Sequence, residues 1–282
     1  SFGQRTAEAV RDFQAAHQLP QADAVDGDTL RALVEERAPD PRASRVYLGL
    51  TMGFPCDGLY KVLCLVAQME GMGKFGALNL NTDAAGLSFG IIQWAQRPGR
   101  LTDIIVAFRE ADSDAFVQIF GAGDESVANG LLAHVKKPNG GVSAKTGVTT
   151  DAAFDLIDDR WVARFRQATL HPLYQQVQVQ TAITAFDRSF NRIGRLARPV
   201  VSERGVAFLL DVANQFGDVG MERLYTTVFR EGMPESDVLE TVADLSVERM
   251  PDKLKQGVRS RRDSFLHTDL LSDEPFAEAT RA

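Results

Sequence analysis

The segment LYKVLCLVAQMEGMGKFGALNLNTDAAGLSFGIIQW, Leu59 to Trp94, decides the fold. In its first third, Leu59, Val62, Leu63, Val66, Ala67 and Glu70 recur at three- and four-residue spacings, which predicts a helix with a carboxylate on its apolar face. Gly71 and Gly73 end that helix, because glycine accepts the left-handed backbone that helix ends commonly use. Leu78 to Asp83 reads as a polar loop. Leu87 to Trp94, with Phe89, Ile91, Ile92 and Trp94 set around Gly86 and Gly90, reads as a short hairpin whose glycines permit close backbone approach or a bulge.

The two acids are expected to have opposite surroundings. Glu70, on the stripe facing the core, should lose water, which disfavours its charged form and suits a general acid. Asp83, thirteen residues later at the wetter start of the hairpin, should stay ionised. Two carboxylates divided in this way suit hydrolysis of a bond between sugars.

The string DAAGLSFGIIQW, from Asp83, resembles the motif of the lysozyme-like superfamily, in particular its chitosanase branch, where an Asp is followed by glycines, a hydroxyl residue and Gly-Ile-Ile. The interval from Glu70 to Asp83 resembles that of goose-type lysozymes. The resemblance implies that Glu70 is the proton donor, that Asp83 holds the attacking water, and that Ser88 stands where a threonine positions that water. Gln93 falls where goose-type enzymes carry a glutamine. Those enzymes have a further acid just beyond the hairpin; Ala95 and Gln96 occupy that place here, so water activation rests on Asp83 alone. TAITAFDRSFNRIG from Thr181, GVAFLLDVANQFG from Gly205 and RSRRDSFL from Arg259 resemble the paired core helices and basic last helix of the chitosanase-like hydrolases. Asp187 and Asp211, inside apolar helices, read as structural acids paired with an arginine such as Arg192 or Arg195.

At the N-terminus, Thr6 to His17 and Asp28 to Arg37 read as a pair of short helices across a polar loop. Gly3, Thr6, Ala9, Val10, Phe13, Gln14, Leu19, Asp26, Gly27, Thr29, Leu30 and Leu33 resemble the second half of a small three-helix peptidoglycan-binding domain. The expected organisation is a partial wall-binding module over 1–38, a linker over 39–46 marked by APDPRAS, and a large domain over 47–282.

Beyond the linker the fold class is mainly α: a lysozyme-like, two-lobed helical domain with a small β-hairpin at the cleft. Helices are predicted over Gly99–Arg109, Asp124–Val135, Asp151–Phe165, Leu173–Arg192, Ser202–Phe216, Met221–Phe229, Glu235–Arg249 and Asp252–Phe265. Lys137 to Gly147 reads as a mobile or plain surface loop.

The net charge of −7 argues against nucleic acid as a partner. No apolar run is long enough to span a bilayer, and no secretion signal is visible. Cys56 and Cys64 are expected to be two thiols, because a disulfide would fold the helix start back over two turns. His17, His134, His171 and His267 are scattered, and with no zinc spacing, phosphate-binding loop or dinucleotide fingerprint neither a metal nor a cofactor is expected.

The reading is therefore a hydrolase of peptidoglycan glycan strands acting at the bacterial wall, with Glu70, Asp83 and Ser88 catalytic. Gln93, Trp94 and Arg97 are expected to bind substrate, the last two as walls for a sugar face and its acidic substituent. In an inverting enzyme the carboxylates would stand about 6.5–9.5 Å apart. Chitosan is the alternative substrate, and a non-catalytic wall-binding or structural component the alternative role.

Overall fold

The structure, a computed structural model, describes residues 4–22, 24–26, 28–29, 32, 58–196 and 200–276. The expected linker, Cys56 and most of the helix expected over Asp28 to Arg37 lie outside the described residues. The first helix, α1, spans Gln4–Ala16. Gln14, in its last turn, is fully buried: its Nε2 donates to Ala24 O and to Thr29 Oγ1, and its Oε1 accepts from Ala22 N. One amide thus braces the polar loop, and Asp26 caps the following turn by accepting from Thr29 N.

The chain is mainly helical. Helix α2 is Gly58–Gly71, followed by strands β1 (Leu78–Leu80), β2 (Leu87–Phe89) and β3 (Trp94–Ala95). Leu78 to Leu80 is therefore a strand and not a polar loop; it pairs antiparallel with β2, setting Asn79 opposite Ser88, and β2 pairs in turn with β3. Its alternation is too short to read from three residues.

Next come α3 (Arg100–Ala111), α4 (Ser113–Phe120), α5 (Glu125–Val135) and α6 (Asp159–Thr169). Asp112, Asp124 and Asp158 cap α4, α5 and α6 by accepting from Ala115, Ser126 and Trp161 N–H groups. Two expectations change here. Helix α4 was not foreseen, because at eight residues it barely completes two turns. The helix expected over Asp151–Phe165 is instead a 3-10 turn, Ala152–Phe154, and then α6, because Asp158 restarts the helix and lets Trp161 Nε1 donate back to Ala153 O.

Helices α7 (Pro172–Ile193), α8 (Glu203–Val228), α9 (Glu235–Glu248) and α10 (Asp252–Leu266) complete the domain. The two helices expected over Ser202–Phe216 and Met221–Phe229 form one interrupted α8. Its interior contains Gly217 at φ 72°, ψ 163°, a conformation open in practice only to glycine, and the helix resumes after it.

Helix α7 is the spine, touching α2, α3, α6 and α8. On one side an aromatic cluster fills the core: Tyr174 stacks on Phe108 at 4.2 Å, and Phe89, Phe116, Phe120 and Phe165 close around them. On the other side α8 is held by α9 and α10. Gln178 joins α7 to the hairpin region, its Oε1 accepting from Ile91 N and its Nε2 donating to Phe75 O, with the side chain fully buried. Gln178→Met keeps the bulk but orphans both groups, at about 1–3 kcal/mol each. A lowered urea midpoint with native circular dichroism is the expected result.

Candidate functional site

A cleft of about 790 Å³ runs between the sheet with α3 on one side and α7 with α8 on the other. Glu70, Asp83, Ser88, Gln93 and Arg97 all line it, so five of the six residues singled out in the sequence converge. Trp94 does not. It is 1% exposed and its ring packs against Gly90, so it is a core aromatic and not a wall for a sugar. The missing side chain at Gly90 creates the seat that takes the indole inward.

Glu70 ends α2 with its side chain 17% exposed, but apolar surfaces are not what surround it. Arg261 of α10 donates to its Oε1 at 2.6 Å, and Asn214 of α8 donates to the same oxygen at 2.9 Å. The expectation of an apolar-shielded acid is thus corrected, since long-range polar partners reach the end of the helix. With Oε1 doubly engaged, Oε2 accepts from no described group and is the oxygen left to carry a proton toward a ligand.

Arg261 is shared. Its Nε and Nη2 also donate to Asp211 of α8, whose other oxygen accepts from Arg262 Nη1 at 2.6 Å. Burial works against the charge of Arg261, but Asp211 and Glu70 together outweigh it and hold the guanidinium above its ordinary range. Arg262 is fully buried, and desolvation lowers it despite Asp211. Asp211 is therefore structural, as expected, though paired with Arg261 and Arg262 and not with Arg192 or Arg195. Asp187, expected to be buried, is exposed and accepts from Asn191.

Asn214 is oriented from behind. Arg100 donates to both its carbonyl oxygen and its Oδ1, leaving the Nδ2 end for Glu70. Burial lowers the pKa of Arg100, opposed by the nearby charges of Glu70, Asp103 and Asp218.

Across the cleft Asp83 is exposed in the turn between β1 and β2, and its Oδ1 accepts from Ala85 N at 3.1 Å. Ser88 is 4% exposed in the central strand, with a hydroxyl that bonds no described group and borders the cleft. Gln93 Nε2 donates to the carbonyls of Ala77 and Gly90, so its amide nitrogen supports the turn while the residue lines the cleft. Arg97 Nη1 donates to Ala144 O at 2.9 Å.

Gln96, where the resemblance has an extra acid elsewhere, is buried and bonds Leu87 N and Gly140 O, so it cannot reach a ligand. Asp103 and Asp218 line the cleft and were not foreseen, nor were Asn79, Arg100 and Asn214. The only signals were the string Asn214-Gln215-Phe216-Gly217 and the basic run from Arg259. Among the described residues no group of histidine, cysteine and acidic side chains is arranged to hold a metal ion.

The loop expected over Lys137 to Gly147 is tied down against the hairpin by Gln96, Arg97 and Asn81, whose side chains donate to Gly140, Ala144 and Thr146 carbonyls. Beneath it lies His134, 1% exposed, stacked on Phe154, with Asp151 Oδ2 at 3.7 Å from Nδ1 and beyond hydrogen-bond reach. Burial first, then Lys137, lower its pKa, and Asp151 only partly opposes them. The unfolded chain therefore takes up this proton first. Stability from neutral His134 is full above about pH 6.5 and is lost as pH falls from there through the lowered folded value. An NMR titration midpoint for His134 at or above about 6.5 would contradict this.

No family model, curated protein or solved structure matches the chain.

Proposed function

We propose that the chain is a glycoside hydrolase that cleaves β-1,4 bonds in the glycan strands of peptidoglycan. The observation that carries the reading is the convergence of Glu70, with one uncommitted oxygen, and exposed Asp83 on the same cleft from separate elements. A mainly helical chain with a small antiparallel sheet at the cleft fits the two-lobed lysozyme-like architecture that the motif suggests.

In this reading the strand lies along the cleft and Glu70 Oε2 gives its proton to the bridging oxygen as the bond to the anomeric carbon breaks. Asp83 takes a proton from a water that attacks that carbon from the opposite face, with the Ser88 hydroxyl orienting the water. The product is inverted. Gln93 and Arg97 contact the sugars, Arg97 facing an acidic substituent. The action is at the bacterial wall, and the N-terminal module adds affinity for it. No described helix is long and apolar enough to cross a membrane.

One observation favours a second substrate. Asp83, Asp103 and Asp218 line the cleft and take part in no ion pair among the described residues, which suits the cationic amines of chitosan. Purified sacculi and chitosan are therefore compared by mass spectrometry of released fragments, with NMR of the first-formed anomer. New reducing ends from sacculi with inverted configuration support the proposal, and release from chitosan alone supports the second substrate. Binding to sacculi without release indicates a non-catalytic wall-binding component.

A further inference from the structure

The turn that carries Asp83 is held from outside. Asn81 Oδ1 accepts from Gly86 N at 2.9 Å, and Asn81 Nδ2 donates to Thr146 O at 3.0 Å, tying the turn to the loop after α5. Gly147 of that loop, at φ 67°, lies so close that an added Cβ would overlap Asn81 Oδ1 and the backbone of Ala84 and Gly86. The loop closes on itself through Ser143 N donating to Val148 O and Gly147 N donating to Ser143 O, both at 2.9 Å. Its other end is stitched by Gln96, which lies between Gly86 and Gly140 and bonds Leu87 N on one side and Gly140 O on the other.

Among the described residues, the Asp83 side chain receives only the short-range bond from Ala85 N. An exposed carboxylate in a turn is free to take many positions unless its backbone is fixed. Asn79 Oδ1 accepts from Thr82 N and Oγ1, and Arg97 N donates to Ala85 O, but the bonds that tie the turn to more distant chain come from Asn81, Gln96 and the 140–148 loop, none of which is foreseen as part of the chemistry.

We propose that Asn81 and Gln96 are positioning residues that, with the 140–148 loop as a clamp, set the Asp83 carboxylate for water activation. This rests on the reading of Asp83 as the base in glycan hydrolysis. The clamp acts on turnover and not on strand binding, because its atoms support the turn from behind while Asp83 faces the cleft. A misplacement of about 1 Å at such a group costs about a hundredfold in rate.

The test uses the whole chain acting on soluble, uncross-linked peptidoglycan strands, with Asn81→Ala and Gly147→Ala made singly and in the Asp83→Asn background. Asn81→Ala removes two polar bonds near the surface, so it keeps the proposal testable should Gly147→Ala fail to fold. Expected is a fall in kcat of about tenfold or more with KM within about twofold, and no further loss when Asp83 is already Asn, since residues acting as one unit are not additive. Two outcomes overturn the clamp alone: folded variants with unchanged kcat, or the same fold-loss in both backgrounds while Asp83→Asn by itself is impaired. Full activity of Asp83→Asn overturns the reading of Asp83 and the clamp together.

Discussion

Glu70→Gln is expected to lower the rate of glycan cleavage by about a hundred- to ten-thousand-fold, the range over which a positioned general acid contributes. The substitution is nearly isosteric. A glutamine carbonyl can still accept from Arg261 and Asn214, so the local geometry survives, and Arg261 keeps Asp211 as its counter-charge. What disappears is the second carboxyl oxygen, which accepts from no described group and which the proposed reaction uses to carry a proton. Release of reducing ends by wild type and variant, compared at equal circular dichroism, reads the effect. Undiminished cleavage would remove Glu70 from the chemistry.

Asp211→Asn should cost about 3–5 kcal/mol of stability, because it leaves two guanidinium groups in the interior with half their compensation gone. Asp211 and Arg262 are both fully buried, and Arg261 is 10% exposed. Arg262 also donates to Ser246 and Gln215 and lies 5.9 Å from the ring centres of Phe208 and Phe216, so it cannot swing out to water without emptying part of the core. The measurement is a urea titration, in which the midpoint should fall sharply. Activity should fall as well at temperatures where the variant is folded, because Arg261, which donates to Glu70 Oε1, would lose the carboxylate that fixes its own position. A midpoint within experimental error of wild type would show that the network is dispensable.

Much of this was legible because it is local. The helix ending at Glu70, the glycines that free the chain to turn, and the hairpin that brings Ser88, Gln93 and Arg97 beside Asp83 all lie within forty residues, where periodicity and backbone preference act directly. Trp94 was misplaced for a physical reason: strand alternation gives two faces, and only the shape of Gly90 says which one receives an indole. Asn214 and Arg261 meet Glu70 across 144 and 191 residues, and no local rule carries that far. Asp103 and Asp218 sit on helices whose rotation about their axes decides whether an acid faces solvent or a cleft, and packing alone fixes that rotation. The surroundings of Glu70 were misjudged on the same account, since a stripe of apolar residues foretells burial but not the charged partner arriving from a distant helix.

The link from Glu70 to Arg261 also sets an order of events during biosynthesis. A nascent chain that has exposed α2, the sheet and the cleft walls still lacks the guanidinium that steadies its acid, and it lacks the counter-charges for Asp211. Arg204 adds a further requirement, because it caps the end of α10 by donating to carbonyls of Phe265, Leu266, Thr268 and Leu271. The network around Glu70 and Asp211 therefore stays incomplete on the ribosome until that downstream stretch has emerged, and a translation product arrested before it would hold both carboxylates without their guanidinium partners.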